Sequence, residues 1–496
     1  MNKFKNGLIK INNVGETTNG AVGHKSTLNP IYDLFAFGGA LRNAAPARAI
    51  ELFSHAYAID KKLTLKCMFY IRNIRGLGQG ERKTFRIMLK ELAKIDPEVA
   101  KKNIANISFY GRYDDLFTLF DTPIEKDMIR FVTQQLLEDS INVKYNKPIS
   151  LLAKWMPSIN ASSKETKAMA KRFVKAFGCT EKVYRKKLSE LRAYLKITET
   201  YVTNHDFSAI EYDKVPGLAG IKYAHLFKTY DNERYTDFIN SKERKVNAEV
   251  LYPYDVAHLA LRGGDETIIN KYWKALPDYT NGKSDNGLCI VDTSGSMTVG
   301  VGKAKPLDAA VALGYYVATK NKGWFHNCFL TFSDTPTLCE VAGQNPAFDM
   351  KKMYEDNMNN WGGTTNLEKV FDMLLSVAIK EDLWEDEMPT KLYIISDMQF
   401  NGALTTNNHL LHNENEIEDF MTTMEKKFEK YSCELPKVIF WNVNACNQVN
   451  LPGEGKKFSY VSGCSPSILS ILLEDKSRID VMLEVLNDQI FDKVVI

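Results

Sequence analysis

Cysteine is sparse in this chain of 496 residues: eight, at positions 67, 179, 289, 328, 339, 433, 446 and 464, with no Cys-x-x-Cys pair. The scatter excludes a disulfide scaffold or a zinc ribbon and reads as thiols buried in a reducing compartment. No stretch reaches 18 apolar residues, which argues against a membrane-spanning helix, and Met1-Asn-Lys-Phe-Lys lacks the apolar core of a secretory signal. The expectation is a soluble cytoplasmic protein with no membrane partner. Also missing are G-x-x-x-x-G-K-[ST], H-E-x-x-H and G-x-S-x-G, and the eight His residues show no zinc-like clustering with Cys. With no catalytic constellation left, the chain reads as a non-enzyme.

A net charge of +3 hides a division. Residues 1–280 carry 45 Lys and Arg against 31 Asp and Glu, or +14, so residues 281–496 carry 19 against 30, or −11. The basic part is the candidate for a polyanionic partner. At this length, with 44% hydrophobic residues, two or three domains with real cores are expected.

Residues 1–29, rich in Gly, Asn and Thr without a period, read as an irregular or extended arm. From Pro30 apolar residues recur at three and four positions, predicting helices over 47–58, 64–75 and 81–95. More follow at 98–107, 113–121, 124–140, 147–155, 163–177, 181–196, 217–229, 231–242 and 253–262. Predominantly helical sequence over 30–280 with short connections favours an α-solenoid. The polar, turn-rich span 275–287 marks a boundary. Strand-like runs at 288–292, 327–332, 391–396, 437–443 and 458–462 then alternate with helical segments near 305–320, 366–379, 415–428 and 466–487. That alternation predicts a parallel, doubly wound sheet, so the whole chain is a multi-domain α plus α/β protein.

In Leu288-Cys-Ile-Val-Asp-Thr-Ser-Gly-Ser-Met297 an apolar strand ends in Asp292, Ser294 and Ser296. Hard oxygens on alternate residues of one tight loop suit Mg²⁺. The competing reading is that they cap the following helix. Two further segments bear on the choice: Trp361-Gly-Gly-Thr-Thr-Asn-Leu367, a Gly-rich loop opening a helix, and Tyr393-Ile-Ile-Ser-Asp397, a buried strand ending in a carboxylate. In this order and spacing, over roughly 285–496, they resemble the metal-ion-dependent adhesion site of von Willebrand factor type A domains. The resemblance implies that Ser294 and Ser296 coordinate the metal directly together with one Thr, while Asp292 and Asp397 act directly or through water. Thr364 matches the family Thr best and Thr365 competes. It implies Mg²⁺, or Mn²⁺ or Ca²⁺ in its place, with a position left for an acidic oxygen from a protein partner.

Basic residues cluster in two places. Arg72, Arg75, Arg82, Lys83 and Arg86 surround the turn Gly76-Leu-Gly-Gln-Gly80, which reads as a helix–helix turn in preference to a nucleotide loop, and Arg112 follows. Lys171, Arg172, Lys175, Arg185, Lys186 and Lys187 span two helices separated by Gly178. Such clusters suit phosphate contacts, and Tyr110, Tyr113 and Tyr184 are candidates for stacking on bases. The competing reading puts Arg72, Arg82 and Arg112 in internal ion pairs with Glu81, Asp114 or Asp115. The motifs at 75–86 and Tyr110-Gly-Arg-Tyr-Asp-Asp-Leu116, joined to a type A domain, resemble the TROVE-module architecture of the Ro autoantigen family. A related, less characterised family shares the Ser26-Thr-Leu-Asn-Pro-Ile-Tyr-Asp-Leu-Phe35 opening and the 184–192 segment more closely. The resemblance implies a ring or horseshoe of HEAT-like helices closed by the type A domain (285–496) and binding structured RNA or single-stranded RNA ends. The function expected is an RNA-binding ribonucleoprotein scaffold. A metal-dependent protein–protein adaptor without RNA is the alternative, and a nucleic-acid hydrolase lacks the carboxylate-rich metal pair it would need.

Overall fold

The computed structural model describes residues 8–9, 12–299, 305–332, 335–357, 365–384, 387–401, 419–445, 451–452 and 457–496. Helix starts follow local chemistry. The Asn29 side chain accepts the N–H groups of Ile31 and Tyr32 at 3.1 and 3.2 Å, and Pro30 opens the helix Pro30–Gly38. Asp60 caps Lys61–Arg72, and Asp96 with Pro97 opens Pro97–Lys102. The apolar stripes point inward: Leu52, Phe53 and Ala56 of Pro46–Ile59 are buried, as are Phe85, Met88 and Leu92 of Arg82–Ile95. Each fully buried aromatic or leucine of this set contributes roughly 1.5–3 kcal/mol of hydrophobic stabilisation.

Among the described residues the α/β region is built on six strands, β3 (Gly287–Asp292), β4 (Cys328–Phe332), β5 (Thr337–Glu340), β6 (Lys391–Ser396), β7 (Lys437–Asn442) and β8 (Phe458–Ser462), in the order β5-β4-β3-β6-β7-β8. Every residue of β3 and β6 is buried, which is why these strands read as nearly unbroken apolar runs. Helices such as Pro306–Lys320 and Leu367–Lys380 connect the parallel strands.

This unit touches both ends of the helical array. Helix Pro30–Gly38 packs on β8, helix Pro253–Ala260 packs on Pro306–Lys320, and Glu266–Lys274 packs on Pro346–Asn357. The C-terminal segment joins the first contact: Phe491 stacks on Tyr110 with ring centroids 5.6 Å apart, and the Tyr110 hydroxyl donates to the Ile490 carbonyl. The glycine turn takes part as well. Gly78 exchanges hydrogen bonds with the Ser467 hydroxyl, and a Cβ on Gly78 would lie 2.3 Å from the Asn73 carbonyl oxygen, so only glycine fits.

Several expectations need correction. The sheet is mixed, not wholly parallel: β5 is antiparallel to β4, and its four residues, half of them exposed, lack the apolar run of a buried strand. The N-terminal arm holds a short antiparallel hairpin, β1 (Val14–Glu16) with β2 (Val22–His24). The segment expected as one helix over 98–107 breaks at Asn103 into Pro97–Lys102 and Ile104–Tyr110, and 113–121 is a 3₁₀ segment, Tyr113–Leu119. Only Leu152–Trp155 of 147–155 is helical, and 466–487 is interrupted between Leu472 and Arg478. Helices Thr198–Thr203, Glu266–Lys274 and Pro346–Asn357 were not anticipated.

Candidate functional site

Two regions carry the chemistry. The first lies at the carboxyl ends of β3 and β6, adjacent parallel strands that deliver Asp292 and Asp397 to the same edge of the sheet. Both carboxylates are buried, 0% and 1% exposed. Asp292 accepts the Ser294 N–H at 2.9 Å on one oxygen and the Ser396 hydroxyl on the other. The Ser294 and Ser296 hydroxyls are 3.2 Å apart. Asp397 accepts the Gln399 N–H at 3.2 Å. Burial, and then the charge of Asp397, raise Asp292 above the usual carboxylate range, and burial raises Asp397.

The donors fit a hard divalent cation. Two buried carboxylates that repel each other and two hydroxyls held together are an oxygen-only set whose charge a cation would neutralise. Among the described residues no group of three His, Cys, Asp or Glu could hold a metal, so an ion here would also need the hydroxyls. Thr364 lies outside the described residues. Thr365 is buried, and its carbonyl accepts the Asn401 N–H at 2.8 Å.

The second region is a cavity of about 1120 Å³ within the helical array. Its lining runs from Arg42 to Asp255 and includes seven cationic residues, Arg42, Arg72, Arg75, Arg82, Lys83, Arg112 and Lys154, against Glu81, Glu199 and Asp255. These cations differ in what holds them. Arg72 is 2% exposed and its Nε donates to Asp115 at 2.7 Å, so it belongs to the framework and is not a surface contact. Arg86 binds Asp114 and Asp115 at 2.8 and 2.7 Å. Arg112 lies 3.9 Å over the Trp155 ring with its fork on Asp114 at 2.9 and 2.7 Å. Glu81, an expected partner of these arginines, is taken by Arg42.

Arg82 has no carboxylate within hydrogen-bonding distance among the described residues. Burial, then the neighbouring charges of Arg112 and Arg86, lower its pKa. Arg75 donates to the Phe109 carbonyl and lies 5.4 Å over that ring, and Lys83 donates to the Arg42 carbonyl at 3.0 Å. Asp255 is pushed up to about 6 by burial, against the opposing effects of the Tyr252 N–H and Arg42.

The second basic cluster does not line this cavity. Arg172 is held by Asp121 and Glu125 over the Phe120 ring, and Lys187 by Glu190 at 3.4 Å, while Lys171, Lys175, Arg185 and Lys186 are exposed. Of the tyrosines expected to stack on bases, Tyr110 and Tyr184 are core residues whose hydroxyls donate to the Ile490 and Pro157 carbonyls. Tyr113 lines the cavity. Sequence reasoning missed Arg42, Lys154, Trp155, Tyr252 and Tyr254, whose only signal was residue type, since no motif or period singles them out.

Comparison with known proteins adds the following. Residues 286–492 match a family described as Domain of unknown function (DUF7788), and residues 17–113 and 109–283 match one described as Domain of unknown function (DUF2828). A protein of Acanthamoeba polyphaga mimivirus, L728, itself described as uncharacterized, is 26% identical over 536 residues, spanning 98% of this chain and 89% of its own length. The crystal structure of the Deinococcus radiodurans Ro (RSR) protein aligns over 90% of this chain and 99% of its own, with 14% identity and a TM-score of 0.47. With its matched segments taking up more than half of the sequence, the chain belongs to the family described as Domain of unknown function (DUF2828).

Proposed function

We propose that the protein is a non-enzymatic, cytoplasmic RNA-binding scaffold. The helical array, read as a HEAT-like solenoid, holds structured RNA or a single-stranded end, and a von Willebrand factor type A domain of residues 285–496 closes it. The observation that carries this reading is the surplus of cations in the cavity: of the seven that line it, Arg42, Arg72, Arg112 and Lys154 are each paired with a carboxylate, while Arg75, Arg82 and Lys83 are paired with none among the described residues. An anionic chain would supply the missing counter-charges, and Arg75, Arg82 and Lys83 are exposed to meet phosphates. Lys171, Lys175, Arg185 and Lys186 would extend the track outside the cavity. Arg112 on Trp155 offers a planar surface beside them for a base.

At the sheet edge, Ser294, Ser296, Asp292 and Asp397, with Thr364 or Thr365, would hold Mg²⁺. The ion would supply a Lewis-acidic position for an acidic oxygen of a partner. Asp292 orients the loop by accepting the Ser294 N–H, and Ser396 fixes the Asp292 carboxylate from below.

The test is filter binding of mixed-sequence RNA oligonucleotides, single-stranded and hairpin, from 50 to 300 mM salt. Affinity should fall steeply with salt, as several released counterions require. No binding at any salt would overturn the reading.

A further inference from the structure

The N-terminal hairpin reaches the metal edge from 380 residues away in sequence. Between β1 and β2 its turn is bonded to the three residues that follow Met398. The Thr17 hydroxyl donates to the Phe400 carbonyl at 2.5 Å, the Thr18 N–H to Gln399 Oε1 at 3.1 Å, and Asn19 Nδ2 to the Gln399 carbonyl at 2.7 Å. Gly20 forms an antiparallel bridge with Asn401, whose N–H also donates to the Thr365 carbonyl.

The segment gripped in this way is strained. Met398, directly after Asp397, has a φ of +64°, a left-handed conformation uncommon for a side chain of this kind. The Met398 N–H donates to the Ser396 hydroxyl at 2.9 Å, which holds the kink from the strand side. On the other side the arm supplies the bonds, and Thr17 and Gln399 are buried there, 7% and 5% exposed. A left-handed residue is held by its surroundings, and here the bonds on either side of it come from Ser396 and, at residues 399–401, from the arm.

We propose that the turn Thr17–Gly20 is an integral part of the metal site, a clamp in which Thr17 and Asn19, with Gln399, are positioning residues that hold Asp397 opposite Asp292. The clamp rests on the metal reading above. By linkage, a metal that needs the clamped geometry must in turn stabilise the docked arm by the same factor.

The experiment is Mn²⁺ titration of the full-length protein, with free Mn²⁺ read by electron paramagnetic resonance, together with hydrogen exchange of the 12–24 segment with and without Mn²⁺. Wild type should bind Mn²⁺ and slow exchange at Thr18 and Gly20. Gln399→Ala and Asn19→Ala should each weaken Mn²⁺ binding, Gln399→Ala by about tenfold, and speed exchange. Asn19 is exposed, so its variant keeps the test decisive if Gln399→Ala does not fold. Wild-type binding with both soluble variants within twofold of it, and no metal effect on exchange, would overturn the clamp and leave the metal site standing. No Mn²⁺ binding by wild type would overturn both.

Discussion

The helical cavity and the sheet edge are electrostatic opposites built on one principle. Elsewhere buried charges are met one at a time within the chain: Asp115 by Arg72 and Arg86, Glu368 by Lys427 at 3.2 Å, and Asp139 by the Ser150 hydroxyl and N–H. In the cavity cations outnumber their partners, and at the sheet edge two buried carboxylates face each other with only hydroxyl and N–H groups to accept from. Unbalanced charge is costly within a protein. A repelling pair of buried carboxylates in one place and a surplus of cations in the other are where, on the proposed function, something outside the chain would complete the balance.

The largest effect should come from disturbing charge that is already balanced. Arg72→Met leaves Asp115, 0% exposed, with Arg86 as its remaining ion-pair partner. Losing one side of a buried pair costs about 3 kcal/mol, and urea unfolding should show a loss of that order. If the loss is below ~1 kcal/mol, Arg72 is not framework and the distinction between paired and unpaired cations fails.

Asp255 sets the next effect, through pH. Its folded-state pKa of about 6 lies above the ordinary value of 3.8, so its contribution to stability is fully present below pH 4 and is lost as pH rises through 6. The shift of about two units corresponds to roughly 3 kcal/mol, since each pKa unit is about 1.4 kcal/mol. Asp292 and Asp397 act in the same direction, so the measurement is the difference between wild type and Asp255→Asn in unfolding free energy from pH 4 to 7. The variant should show the flatter profile, and parallel profiles would remove Asp255 from the account.

How far these two regions were legible in the sequence depends on how far apart their parts lie. The strand ends that carry Asp292 and Asp397 were readable because Asp292, Ser294 and Ser296 fall within five residues, and because strands buried on both faces announce themselves as the apolar runs Leu288–Val291 and Leu392–Ile395. The contact of the N-terminal turn with residues 399–401 was not readable, since Thr17 and Phe400 share no local pattern. In the basic half, Arg72 and Arg82 look alike in sequence. Asp115, 43 residues beyond Arg72, makes one a buried framework residue, and Arg112 and Arg86 give the other its like-charged neighbours. Helices were found where their period was long and amphipathic, as in Arg82–Ile95, and missed or misplaced where they were short, as in Thr198–Thr203.

At the sheet edge the comparison predicts a change of sign. Asp397→Asn removes one of two repelling buried charges, so in EDTA the variant should be more stable than wild type by about 1 kcal/mol. Millimolar Mg²⁺ should raise the melting temperature of wild type alone, because only a ligand bound by the folded state stabilises it. Thermal melts with and without Mg²⁺ decide this, and a variant that responds to Mg²⁺ as wild type does would show that Asp397 is not part of the site.

The smallest stability effect belongs to the cavity, and it sharpens the contrast with Arg72. Arg82→Ala removes a cation whose charge its neighbours oppose, so unfolding free energy should change by no more than about 0.5 kcal/mol, as for a surface substitution. RNA affinity should nonetheless fall, and the slope of log affinity against log salt should drop by about one, the signature of a single lost phosphate contact. Lys171→Ala, outside the cavity, should lower affinity less at the same salt if the cavity is the primary site. Should the two variants be equal, RNA would be following the outer surface of the array, and the surplus charge inside the cavity would need a different, smaller anion to balance it.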